Sequence, residues 1–238
     1  MLENRYYAIS IFSNEWWINN FITITFIILL LLISKKIKNK GYLKEFNYVI
    51  GILLFIRLFW NQWYQYSLGQ WDMQWSLPIQ MCSFTSILSG FLLIIHNFKI
   101  EEKYKSLIFE FLLFWGIGAL YAFLTPVYTT GIEGFIYYEF YVSHGGILFA
   151  IIYCILFLNY SPRKNSWLKI FLYSQPILLL IHLINLMIGG SANYFFTMSP
   201  PIANNPFIVG AYPTHIILLN IFAGFHFYII YLILYRKN

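Results

Sequence analysis

Seven apolar stretches recur along the chain of 238 residues, each close to the roughly 20 residues a helix needs to cross a bilayer. They cover Trp17–Ser34, Phe46–Leu68, Leu77–Asn97, Tyr104–Pro126, Tyr137–Leu158, Trp167–Ile188 and Pro213–Tyr235. Inside lipid every backbone N–H and C=O needs a partner from the protein itself, so such stretches form helices. The fifth and sixth contain glycine or proline, which read as interruptions that neighbouring helices accommodate. With 60% hydrophobic and 10% charged residues, the composition excludes a soluble domain of this size. The expectation is an all-α, multi-pass membrane protein. Residues 1–238 make a single domain, a seven-helix bundle with a six-helix core and one further N-terminal helix.

Lysine and arginine set its orientation. All except Arg5 and Arg57 lie in or beside alternate connections: Lys35–Lys44, Lys99–Lys105, Arg163–Lys169, and Arg236 with Lys237. Glu3, Glu15, Asp72, Glu133 and Glu139 mark the other side. The positive-inside rule then puts the N-terminus outside and the C-terminus in the cytoplasm. The net charge of +6 follows from this topology and an anionic inner leaflet, and does not point to nucleic acid. The first apolar stretch reads as a retained span, because Lys35–Lys40 follow it at once as a stop. Tyr6, Tyr7, Trp16 and Trp17 suit an outer aromatic belt. The frequency of Ile, Asn, Lys and Tyr fits an AT-rich bacterial genome and hence a bacterial plasma membrane.

The two cysteines lie at depths about 16 Å apart by helical rise, too far for a disulfide. Cys154 has no polar neighbours at helical spacing and reads as packing. Two outer connections are unusual. Gly69–Ser76 places Trp71, Asp72 and Trp75 at headgroup level, and Gly189–Tyr212 is uncharged and rich in Gly, Ser, Asn and Pro. The second of these lies in water or folds back over the helix ends as a lid.

Ionisable or nucleophilic side chains within a bilayer are costly, and a convergent set marks a functional site. Cys82, His144, His182 and His215 belong to four different spans, and three of them fall within about 10 Å of the outer boundary by helical rise. Gln175, His182 and Asn185 share one stripe of the sixth helix. His215 and His226, eleven residues apart, share a face of the seventh. Cys82 with a histidine has the chemistry of a thiolate nucleophile and its base. The alternatives are a small buried residue at a helix contact, or a metal site using Cys82, His144, His182 and His215. The close ligand spacing that signals a metal is missing, and no motif calls for a cofactor. His96 and His226 read as interhelical contacts. Arg57, near the midplane, either binds an anionic head group or, the favoured reading, pairs with Glu110 in the fourth span. Asn193 and Tyr194 are candidate donors to an oxyanion, or residues that order their loop.

Five motifs, in order, resemble those of the YwaF-like bacterial integral membrane proteins. They are Leu77-Pro78-Ile79-Gln80-Met81-Cys82, Gly118-Ala119-Leu120 with Leu124-Thr125-Pro126, Ser143-His144-Gly145, Asn185 with Gly189-Ser191-Asn193-Tyr194, and Tyr212-Pro213. The resemblance runs from about Trp71 to the C-terminus. That family is similar to a eukaryotic transmembrane acyltransferase family that remodels ether phospholipids, and more distantly to lipid hydrolases that pair a threonine with a histidine. The resemblance implies Cys82 as nucleophile and His144 as base. Gln80 stands where the family pattern often has histidine, so this position can hydrogen-bond here but cannot take a proton.

These readings combine into a lipid acyltransferase or esterase that works on membrane lipids from an outward-facing polar pocket. His144 deprotonates Cys82, a thioester forms, and a lysolipid hydroxyl or water takes the acyl group. Gln80, Asn193 or Tyr194 steadies the oxyanion, while His182, Asn185 and His215 orient or bind. The rival is a small-molecule transporter or ligand-binding protein, against which stands the lack of an inverted repeat.

Overall fold

The computed structural model describes residues 6–201 and 210–235. Glu3, Arg5, Arg236, Lys237 and the middle of the connection after the sixth apolar stretch lie outside them. Helices α1 (Asn14–Asn39), α2 (Leu43–Ser67), α3 (Met81–His96), α4 (Glu102–Trp115), α5 (Ile117–Leu124), α6 (Phe135–Phe157), α7 (Ser166–Ile188) and α8 (Thr214–Leu234) account for all seven apolar stretches. One two-residue antiparallel pair adds to them: β1 (Tyr7–Ala8) lies against β2 (Val127–Tyr128).

Five helical stretches are long and apolar enough to cross a membrane: α1, α4 with α5, α6, α7 and α8. α3 is equally apolar but shorter, at 16 residues. α2 has the length, but Asn47, Arg57, Asn61, Gln62 and Gln65 reduce its apolar character.

The bundle is assembled through small residues that let backbones approach. A β-carbon on Gly51 of α2 would stand 2.8 Å from the Gly90 carbonyl oxygen of α3, and one on Gly90 would stand 2.9 Å from the Gly51 carbonyl. α3 packs between α2, α4 and α6, and α7 lies against α8 and α4. The centre is filled by Leu92 and Leu93 of α3, Phe109, Leu112 and Phe114 of α4, Ile147, Ala150 and Cys154 of α6, and Ile170 of α7. Cys154 is fully buried there, as its apolar neighbours predict. α1 packs along α6 and α2 from outside this core, where a β-carbon on Gly145 would press on Thr23.

Three expectations need correction. The third helix begins at Met81, not Leu77. Asp72 turns the chain by accepting from the Gln74 and Ser76 backbone N–H groups, and Gln80 is still extended (φ −69°, ψ 153°), so the first helical bond is Phe84 N–H to the Gln80 carbonyl. The fourth stretch breaks at Gly116, between α4 and α5. The fifth and sixth are unbroken: Gly145 and Gly146 lie within α6, and Pro176 lies within α7.

The two ends of the bundle differ in charge. At one, Lys38 donates to the Phe157 carbonyl and so ties the C-terminal ends of α1 and α6. At the other, Tyr7 and Tyr137 both donate to the Glu15 carboxylate, at 2.8 and 2.6 Å. That bond pushes the Tyr7 hydroxyl above its ordinary value, because losing the proton would set two anions side by side.

Candidate functional site

A cavity of about 390 Å³ opens among α2, α3, α5, α6, α7 and α8. Cys82, His144 and Gln80 all line it. Starting α3 at Met81 makes Cys82 the second residue of the helix. Its backbone N–H is then one of the first four without a partner inside the helix, at the positive end of the helix dipole. α5 comes close at this point because Gly118 has no side chain. A β-carbon there would stand 3.8 Å from the Cys82 sulfur and 2.5 Å from the Met81 methyl.

His144 reaches the same cavity from α6. Its Nδ1 lies 2.6 Å from the Phe140 carbonyl, one turn back in its own helix. A carbonyl only accepts, so Nδ1 carries the proton and Nε2 keeps a lone pair. This is the tautomer a base needs.

Arg57 also lines the cavity. It forms its ion pair with Glu139 of α6, and its Nη2 donates to Ser86 of α3 at 2.7 Å. Both charged side chains are about 9% exposed. The expected partner, Glu110, is bound instead by Arg163, through the backbone N–H (2.9 Å), Nε (2.8 Å) and Nη2 (2.6 Å). The reason is helix order: α2 packs on α3 and α6, while Glu110 faces the connection between α6 and α7. Hydrogen bonding to Glu110 holds the Arg163 guanidinium above its ordinary value.

The remaining candidates are not on the cavity wall. Asn185 donates to the Tyr194 carbonyl (2.9 Å) and Thr197 Oγ1 (2.8 Å), and accepts from the Tyr194 N–H (3.0 Å). Asn193 accepts from the Met198 and Ser199 N–H groups and donates to Ser199. The Tyr194 hydroxyl accepts from the Leu77 N–H at 2.9 Å and donates to the Met73 carbonyl at 2.7 Å. His215 is fully buried, with Nε2 3.1 Å from the Phe196 carbonyl. The His182 ring stacks on Tyr212, 5.7 Å between centroids. Together these residues fold the segment after α7 over the start of α3. Gln80 joins them, its Oε1 accepting from the Phe195 N–H at 3.1 Å. Among the described residues no three His, Cys, Asp or Glu side chains gather as a metal site.

Tyr121 escaped the sequence reading, whereas His226 makes the interhelical contact expected of it. Tyr121 of α5 and His226 of α8 both line the cavity, with Tyr121 Oη 2.7 Å from His226 Nε2. The available signal was the position of Tyr121 three residues after Gly118.

Apolar helices packed through small residues around a mainly apolar cavity with a few polar side chains define a multi-pass helical membrane protein. The chain belongs to the TMEM164 family, which it matches over residues 11–231. No match was found among curated proteins or among solved structures.

Proposed function

We propose that this protein is a lipid-modifying enzyme that moves acyl groups to or from phospholipids through Cys82 and His144. The observation that carries the reading is that the only cavity-lining thiol shares its cavity, among the described residues, with a histidine whose Nε2 is a free lone pair. His144 Nε2 takes the Cys82 proton, and the sulfur attacks an acyl ester. The proton then goes to the departing alcohol oxygen, leaving a thioester. A lysolipid hydroxyl or water afterwards takes the acyl group. The seven-span topology, with the N-terminus outside and the C-terminus in the cytoplasm of a bacterial plasma membrane, agrees with Lys38 and Arg163 at one end of the bundle and Glu15 and Asp72 at the other.

The test is intact-protein and peptide mass spectrometry on protein incubated with mixed bacterial lipids. The expected result is an acyl mass on Cys82, released by hydroxylamine, that is lost in Cys82→Ser and formed slowly or not at all in His144→Ala. A transporter or binding protein, to which the buried Arg57–Glu139 pair on the cavity wall would also be suited, leaves Cys82 unmodified and tolerates both substitutions.

A further inference from the structure

His226 is built like His144. Its Nδ1 lies 2.6 Å from the Phe222 carbonyl, one turn back in α8, so this nitrogen holds the proton and Nε2 holds the lone pair. In His226 that lone pair is occupied, because the Tyr121 hydroxyl donates to it at 2.7 Å. The single Tyr121 proton is thereby committed, and what its oxygen offers the cavity is a pair of electrons.

Two neighbours on the α7 and α8 side have the same polarity. Asn220 donates Nδ2 to the Ile216 carbonyl at 2.9 Å, and Gln175 donates Nε2 to the Phe171 carbonyl at 3.1 Å. Each has its amide oxygen left to offer a ligand. Each amide keeps its oxygen and one N–H, and this wall carries no cation, so it offers phosphate no charge partner and receives a group that brings its own O–H. Tyr121 stands three residues after Gly118, on the same face of α5, and Gly118 is where α5 abuts the Cys82 sulfur.

We infer that Tyr121 and His226 form the subsite for the acyl acceptor, an alcohol, and relay its proton in the second half of the reaction. This inference rests on the thioester reading of Cys82. The acceptor hydroxyl donates to Tyr121 Oη. As its oxygen bonds to the thioester carbonyl carbon, its proton passes to Tyr121, and the Tyr121 proton passes to His226 Nε2. The carbon–sulfur bond breaks with its electron pair on Cys82. Reversal of the relay delivers the proton from His226 to the thiolate and restores the starting state. Tyr121 touches the substrate, and His226 is a positioning residue that acts through it.

The test uses the full chain in detergent, first acylated on Cys82 by mixed bacterial lipids and then chased with 1-monoacylglycerol as an uncharged alcohol probe. Loss of the Cys82 acyl mass and appearance of diacylglycerol are followed together. Tyr121→Phe keeps the ring and is expected to raise the half-saturating probe concentration, and to lower the ratio of diacylglycerol formed to fatty acid released, by about tenfold. His226→Gln, whose side chain can still accept from Tyr121, is expected to slow the chase at saturating probe with a smaller change in half-saturation. Wild-type half-saturation and product ratio in Tyr121→Phe overturn the subsite while leaving the Cys82 reading intact. Absence of any acyl mass on wild-type Cys82 overturns that reading and the subsite with it.

Discussion

Glu139 of α6 meets the Arg57 guanidinium of α2 inside the bundle, five residues before His144 in its own helix. Ser86 of α3 completes the contact, so one arginine joins three helices that wall the cavity. Removing one partner from a buried pair leaves an uncompensated charge and typically costs about 3–5 kcal/mol. Glu139→Gln should therefore lower the thermal midpoint in detergent sharply. The double replacement Arg57→Met with Glu139→Leu should recover most of the loss. A double variant no better than Glu139→Gln would show that the pair gives something packing cannot replace.

Glu110 provides the contrast. Its carboxylate is buried, but its partner Arg163 is 43% exposed. In Glu110→Gln the guanidinium can turn to water, so the penalty falls to that of lost charge-assisted hydrogen bonds, about 1.5–3 kcal/mol. Unfolding midpoints for Glu110→Gln and Glu139→Gln under one set of conditions should rank in that order.

Gly116 and Gly118 lie two residues apart and should respond differently to alanine. At Gly116 the added carbon would stand 2.2 Å from the Ile151 terminal methyl and 2.7 Å from the Leu112 carbonyl oxygen, which is backbone and cannot move aside. Overpacking of this kind costs about 1–3 kcal/mol. At Gly118 the close neighbour is the Met81 methyl, the mobile end of a flexible chain. Gly118→Ala should leave the thermal midpoint nearly unchanged. Displacing the Met81 methyl next to Cys82 should nonetheless slow the proposed acylation severalfold, read as the rate of acyl mass gain.

Asn185→Ala removes three hydrogen bonds to Tyr194 and Thr197 in one step. The freed backbone groups are buried, so the cost should reach about 1–3 kcal/mol for each one left unsatisfied. Loosening should be local to the chain after α7. Limited proteolysis in detergent should cut between Gly189 and Ser199 in this variant before it cuts elsewhere.

Much of the helix layout can be read from the chain because the hydrocarbon slab imposes both length and apolarity on each span. Cys154, ringed by apolar residues in sequence, ends in the core for the same reason. What the chain withholds is lateral. The pairing of Arg57 with Glu139 and of Glu110 with Arg163 depends on which helices are neighbours, and no linear periodicity encodes that. Helix α3 starts four residues after the apolar stretch does, because the turns that follow Asp72 occupy the chain up to Gln80, the extended residue before the first helical turn. Depth alone groups His182 with Cys82; facing separates them and brings in His226 and Tyr121. Asn185, Asn193 and Tyr194 are polar residues near the cavity, but their partners are one another, their own segment and the turn before α3.

The strap after α7 is anchored to the turn that launches α3: Tyr194 bridges Met73 and Leu77, the Gln74 side chain accepts from Ser191, and Gln80 holds Phe195. The roof of the chamber and the footing of its sulfur are thus a single piece of masonry. Lifting the roof would pull on the turn before α3 and disturb the first helical turn, which carries Cys82. Opening the chamber from above therefore breaks hydrogen bonds that also seat α3, whereas passage between the helices breaks none of them.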